Sequence, residues 1–463
     1  MLKSASIRWG ALAAFAFITT LPSAMAAEVL FEGAYLARFR AFDSLSIDKS
    51  LALSEGRTAY VQHRLWLRPR FLINEKISLY ADFKGLDNVY WGDEPAQWTD
   101  PVTGSDMPLA WTDELNAPTN GGEEGESRSP LLDFTLWRAW GQIDTNVGQF
   151  TFGRMPLHWG SGVWQNDGLG INAEYGDTAD RVQWEKEISS IFIRAAFDMN
   201  AEGLINANDD TLSANAAVAY RTERIFAGVN LQLKHAPSRE FNLFTASLAG
   251  EATLGKLGIR LEAVGQFGGG DLENGANDVQ VAAFGGVVAA EMEIQNFKFQ
   301  LEGGVASGDG NLNDAKLRTF TFDRDYNVGL FMFEQPMPAL VSANGENDGR
   351  ATATALSGPG VSNALYLRPQ ISRPLPWVKG LGIQVNMLAA RTLTMPESEA
   401  GRSSYGMEFN LGVNYEPMEH VQLLGTAGLF LPGSYYTQYS DTDFPDGFSG
   451  TVLGGQLITR VHF

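Results

Sequence analysis

The chain contains no cysteine among its 463 residues. That excludes disulfide staples, thiol catalysis, thiolate metal sites and lipoprotein acylation at once. No segment reaches the roughly 18 uninterrupted apolar residues that a membrane-crossing helix needs. Histidine is scarce, with five in all: His63, His158, His235, His420 and His462. Bases are few as well. Lys and Arg total 34 against 54 Asp and Glu, a formal net charge of −20. A nucleic-acid surface needs the opposite balance, so nucleic acid is excluded as a partner. Glycine (50 residues) and aromatics (11%) are plentiful. Mean hydropathy is −0.13, an average that strands with one apolar and one polar face produce.

Period-two alternation runs through most of the sequence. Between 57 and 71, Ala59, Val61, Leu65, Leu67 and Phe71 share one parity, and Gln62, Arg64, Arg68 and Arg70 the other. Ile77, Leu79, Ala81 and Phe83 oppose Lys76, Ser78, Asp82 and Lys84 in the same way. A helix would show a period near 3.6 instead. Eighteen candidate strands follow, with sixteen as the alternative count: about 29–40, 57–71, 76–87, 131–143, 147–154, 179–187, 190–198, 213–221, 224–234, 241–254, 257–267, 278–294, 297–306, 363–372, 381–393, 403–415, 421–431 and 450–463. Even-numbered gaps are tight, as at Asn74-Glu75, Thr145-Asn146 and Gln295-Asn296. Odd-numbered gaps are longer, up to 43 residues at 88–130 and 56 at 307–362. Short turns on one rim and long loops on the other are the asymmetry of a membrane barrel. A barrel of about 16–18 strands leaves an aqueous channel.

The two ends of the chain agree. Lys3 and Arg8 precede a thirteen-residue apolar run at 9–21 and an Ala24-Met25-Ala26 site. This reads as a secretory signal over residues 1–26, leaving 27–463 as one domain. Removing Lys3 and Arg8 leaves 32 bases (34 − 2) against 54 acids, a net charge of −22. At the other end Leu453, Leu457, Val461 and Phe463 oppose Gln456, Arg460 and His462. A final amphipathic strand ending in Phe463 resembles the closing strand of Gram-negative outer-membrane β-barrels. That resemblance implies an all-β transmembrane antiparallel barrel in the outer membrane, with lipid and the barrel-assembly machinery as partners and Phe463 as the assembly signal.

The most distinctive stretch joins Phe152-Gly153-Arg154 and Trp159-Gly160-Ser161-Gly162 to Asp180-Arg181-Val182. It resembles the pattern of alginate-export-like and related deltaproteobacterial outer-membrane porin families. The segments 322–330, 364–370, 413–417 and 430–433 add to the second likeness. The resemblance implies an open barrel passing hydrophilic solutes, or exporting an anionic polysaccharide with periplasmic partners. The acidic net charge departs from an anion-lined pore. Even so, arginine collects on the expected lumen parity: Arg38, Arg40, Arg64, Arg68, Arg70, Arg154, Arg181, Arg194, Arg260, Arg368 and Arg460. Arginine stays charged and offers a planar fork to carboxylates. Glu32, Asp82, Glu185, Glu187 and Glu262 share that parity. The set reads either as a salt-bridge ladder that props the wall or as a selectivity lining.

Three further features bear on function. The apolar stretch within 307–362 (Phe320, Phe322, Leu330, Phe331 and Phe333) suits a loop folded inward as a constriction or plug. A plugged barrel would be a surface-binding or structural protein. Asp309, Asn311 and Asn313 have the spacing of a Ca²⁺ loop but lack its glycine and late glutamate. The acid-rich loop 88–130 reads as a solvated surface loop or a divalent-cation site. His158 and Ser161 are neighbours, but the sequence supplies no third orienting group for a nucleophile. The expectation is a channel without enzymatic activity and without a cofactor.

Overall fold

The computed structural model describes residues 28–43, 45, 58–92, 98–99, 106–107, 134–201, 211–271, 278–311, 314–335, 360–395, 402–437 and 449–463. Eighteen long strands dominate: β1 (Glu28–Phe42), β2 (Thr58–Asn74), β3 (Ile77–Gly92), β4 (Phe134–Thr145), β5 (Gly148–Pro156), β6 (Thr178–Ile188), β7 (Ile191–Ala201), β8 (Thr211–Arg221), β9 (Ile225–Ala236), β10 (Phe241–Leu254), β11 (Leu257–Gly270), β12 (Val279–Ile294), β13 (Phe297–Ala306), β14 (Ala364–Pro374), β15 (Leu381–Thr392), β16 (Ser404–Met418), β17 (Val421–Pro432) and β18 (Val452–His462). Each pairs antiparallel with its sequence neighbours. β18 pairs antiparallel with β1, which closes the sheet. The expected eighteen-strand barrel is the observed one.

The alternation assigns the two faces. On β1, Ala34, Leu36 and Arg38 are buried while Phe31 and Phe39 stand exposed. Phe152, Val182, Phe197, Leu248, Phe284, Val288, Leu301, Leu411 and Leu453 are likewise exposed on the outer face of other strands, Val182 to 61%. In water so large an apolar belt would drive aggregation. In hydrocarbon it is the required surface, and the closed ladder leaves no strand edge unpaired. The chain is an outer-membrane-type β-barrel. Trp184, Tyr220, Trp377 and Phe463 ring the rim that carries the short turns. Trp184 Nε1 donates to the Val147 carbonyl there, at 3.2 Å.

Turn chemistry explains that rim. Gln295 and Asn296 both take positive φ (48° and 68°), as a two-residue hairpin of matching twist requires. On the opposite rim one connection is short, as the gap 235–240 between the expected strands implies. The β9–β10 connection is only Pro237–Arg239 and the left-handed Glu240. Pro237 supplies the fixed φ that starts this tight turn.

Barrel closure reaches the last residue. Gly33 N donates to the Phe463 carbonyl and Phe463 N to the Gly33 carbonyl, both at 2.9 Å. A Cβ on Gly33 would meet the Phe463 ring, so the ring lies across the glycine on the outer wall. The signal segment 1–26 lies outside the described residues. Deleting Phe463 removes both seam bonds and the ring. The heat-modifiable, fast-migrating band on unboiled gels is expected to fall several-fold relative to a single-residue loop deletion. Equal yields would contradict a role for Phe463 in closure.

Candidate functional site

The inward faces form a lumen, and two connections fold into it. The first is residues 157–177, between β5 and β6. The second comprises residues 307–311, 314–335 and 360–363, described parts of the β13–β14 connection. Why the first turns inward is visible in its anchors. The Trp159 ring is buried on Ala217, Ala219 and Ala249, small residues of β8 and β10, and a Cβ on Gly228 would strike it. Glu262 of β11 accepts the Ser161 and Val163 N–H groups at 2.8 and 3.1 Å. Arg138 of β4 donates to the carbonyls of Asp167 (2.8 Å) and Asp177 (3.0 Å).

The second connection is held in the same manner. Phe320, Phe322, Leu330, Phe331 and Phe333 are buried with Phe42, Val287, Tyr366, Leu388, Phe430 and Val452 of the inner wall. Glu408 of β16 accepts the N–H groups of Leu330, Phe331 and Met332. Arg368 of β14 donates to the Val328 carbonyl at 3.1 Å and to Glu302 at 2.9 Å. The two connections also grip each other. Asp325 accepts the N–H groups of Glu174, Tyr175 and Gly176, and Asp323 N donates to the Val163 carbonyl.

Ten of the eleven arginines expected on the lumen parity point inward, Arg460 through its register with the buried Leu36. Arg38 and Arg40 converge on Glu174, Arg40 at 2.6 Å. Arg64 donates to the Ala173 carbonyl. Arg68 pairs with Asp82 at 2.7 Å, Arg181 with Asp198 at 2.5 Å, and Arg368 with Glu302. Arg70 lies over the Tyr80 ring and Arg194 over Trp159. Arg260 has no ion-pair partner within 4 Å among the described residues. Arg154 is the correction. Thr151 and Met155 face inward, so Arg154 shares the outward parity of Phe150 and Phe152. It pairs with Asp180 at 2.7 Å, and both side chains are about half exposed. The motif drew it to the lumen where the alternation puts it outside.

The Ca²⁺ spacing gains no support. Asp309 is taken by Arg318 Nη1 at 3.0 Å and by the Asn311 and Arg318 N–H groups. Asn313 lies outside the described residues, as does most of the 88–130 acidic loop. No group of three or more potential ligands occurs among the described residues. His158 Nδ1 lies 3.9 Å from Asp167 Oδ2.

Charge inside the lumen is uneven. Burial alone would raise the Glu174 carboxyl, but Arg40, Arg38 and Arg64 outweigh it and hold it down at about 2. Asp323 goes the other way. Burial, then the adjacent Asp177 with which it shares a hydrogen bond, pushes it up to about 9.

No protein-family model matches the chain, and no curated protein matches it. Solved structures do. Pseudomonas aeruginosa OpdL superposes with a TM-score of 0.52 at 11% identity, covering 95% of this chain and 99% of its own. A BenF-like porin from Pseudomonas fluorescens Pf-5 gives 0.52 at 10% identity, covering 94% and 98%. Pseudomonas aeruginosa OccK2 (OpdF), solved in complex with glucuronate, gives 0.52 at 12% identity, covering 94% and 96%. At such identities the likeness is one of fold, and the fold is that of outer-membrane porins.

The carboxyl pair generates a pH prediction. A carboxyl whose folded pKa is raised binds more protons folded than unfolded, so its contribution weakens as pH rises from the unfolded value of about 4. The loss continues until the pH passes the raised value near 9. The contact between the two inward connections is therefore expected to loosen at alkaline pH, read as faster amide exchange over 320–335. Asp177→Asn with Asp323→Asn should reduce the dependence to the part left by Glu334, which burial pushes up to about 8 in the same connection. An unchanged alkaline transition in that double variant would contradict it.

Proposed function

We propose that this chain is an outer-membrane channel that passes small hydrophilic solutes and favours anionic ones. The carrying observation is the division among the inward arginines. Arg38, Arg40, Arg68, Arg181 and Arg368 each face a carboxylate and fasten the wall or the inward connections. Arg70, Arg194, Arg260 and Arg460 have no carboxylate within 4 Å among the described residues. A lattice built only for rigidity would pair its cations, because an uncompensated charge in a partly desolvated lumen is costly. Cations left open to the lumen raise the local anion concentration. The chain's acidic balance then belongs to its loops and the lumen's to these arginines. Glucuronate, found in a structure of the same fold, is a small hydrophilic carboxylate of the class these groups would take.

An anionic polysaccharide as exported cargo rests on the motif resemblance around 152–182, and the two inward connections narrow the path for a polymer. Lipid, the barrel-assembly machinery and, for export, periplasmic proteins are the partners of this reading. Catalysis is set aside because no hydrogen bond joins the Ser161 hydroxyl to the His158 ring among the described residues, and a nucleophile needs its base within that reach. A plugged barrel is the runner-up, favoured by the buried apolar cluster of the second connection. That connection would act as a constriction in the first reading and as a plug in the second.

Planar-bilayer recording decides between them. The intact protein is expected to give discrete steps, and deletion of 307–362 to enlarge them. Exchanging Arg70, Arg194, Arg260 and Arg460 together for glutamine is expected to move the reversal potential toward cation preference. Silence from both the intact and the deleted protein would contradict transport. An unmoved reversal potential would contradict the role given to the four arginines.

A further inference from the structure

One row of the inner wall is unlike the rest. Hydrogen-bond register places Arg70, Tyr80, Trp140, Gly153, Arg181 and Asp198 side by side on β2 to β7. Tyr80 and Trp140 stack with ring centroids 4.9 Å apart and planes 1° from parallel. Arg70 covers the other face of Tyr80, its guanidinium carbon 5.0 Å from the ring centre. Its Nε is buried with no hydrogen-bond partner. Both rings point to the lumen, because Asp82 and Arg138, two residues away on the same faces, pair with each other, and Arg138 binds the inward connection.

The opposite face of Trp140 looks toward Gly153, which has no side chain. Gly153 holds φ at 118°, and a Cβ there would lie 2.5 Å from the Ala139 carbonyl. The position is thus kept bare by the backbone itself. Beyond it Arg181 is drawn away, toward Asp198, by two hydrogen bonds of 2.5 and 2.9 Å. Strand spacing of about 4.8 Å puts about 10 Å between the strands bearing Trp140 and Arg181. That accommodates one flat ring at van der Waals distance from the indole.

We propose that the face of Trp140 above Gly153 is a stacking subsite for a cyclic, anionic solute. This rests on the transport reading and adds ring recognition to it. The apolar face of a pyranose or an aryl ring lies on the indole, which Tyr80 and Arg70 back from the other side, while the lumen arginines without a carboxylate partner supply the field that attracts its carboxylate. The slot lies about 7 Å past Arg138 toward the short-turn rim, two residues along β4. Cargo reaches it just after the inward connection that Arg138 holds.

The test is blockade of single-channel current by three probes: glucuronate (pyranose), benzoate (aryl) and gluconate, an acyclic acid of similar size and equal charge. The readout is the ratio of apparent affinities, cyclic over acyclic, which is internally normalised. The intact protein is expected to prefer the cyclic acids about tenfold. Trp140→Ala should bring the ratio close to one, and Trp140→Phe should keep most of it. Tighter block by benzoate assigns the slot to aryl acids, and tighter block by glucuronate to pyranose acids. Either outcome supports the subsite. If Trp140→Ala does not give a heat-modifiable barrel, Trp140→Leu and Tyr80→Leu report the same ratio. Equal block by cyclic and acyclic probes, or a preference that survives loss of the indole, overturns the subsite and leaves transport standing. An intact protein with no steps at all overturns both.

Discussion

The ladder between β1 and β18 is the constraint on which everything else depends. A strand edge inside hydrocarbon would leave a row of N–H and C=O groups with no water to bind them, at several kcal/mol each. Register Ala34↔His462 through Phe42↔Gly454 satisfies that row, and the Gly33–Phe463 pair extends it to the last residue. Once the ladder closes, alternation has only two destinations, lipid and lumen. The lumen then inherits every polar parity in the sequence.

What narrows the lumen is one interaction used three times. Glu262, Asp325 and Glu408 each present a carboxylate to two or three neighbouring backbone N–H groups of an inward connection. Such connections carry donors that no strand can satisfy, and a charged acceptor contributes about 1.5–3 kcal/mol per bond. Arginine does the complementary task for carbonyls, as Arg64, Arg138 and Arg368 show. The acidic and basic residues of the inner wall are therefore mostly fasteners. The few cations left over are the groups on which the proposed preference for anions rests.

Strand number, parity and the two rims were legible in the sequence because alternation is local and each hairpin repeats it. The inward lean of the 320–333 apolar stretch was legible for a related reason, since aromatic residues in a polar loop need cover. Arg154 faces outward because it follows the alternation of Phe150 and Phe152 beside it, which the surrounding motif does not encode. The anchoring of 157–177 was not legible. Its partners, Arg38 with Glu174 and Glu262 with Val163, lie about 100 or more residues apart, and no period encodes such contacts. The only local signal was its run of glycines, of which Gly160, Gly162, Gly168 and Gly176 take positive φ. The row from Arg70 to Asp198 has no local signal for the same reason. It exists only across six strands.

The lack of cysteine allows a direct test of the central claim, a continuous aqueous path with strictly alternating walls. A membrane-impermeant, negatively charged thiol reagent is added only on the long-loop side during recording of Arg460→Cys, near the short-turn rim, and of its lipid-facing neighbour Val461→Cys. The account predicts a stepwise change in current for Arg460→Cys and none for Val461→Cys. An inert Arg460→Cys in a conducting channel, or a reactive Val461→Cys, would contradict it.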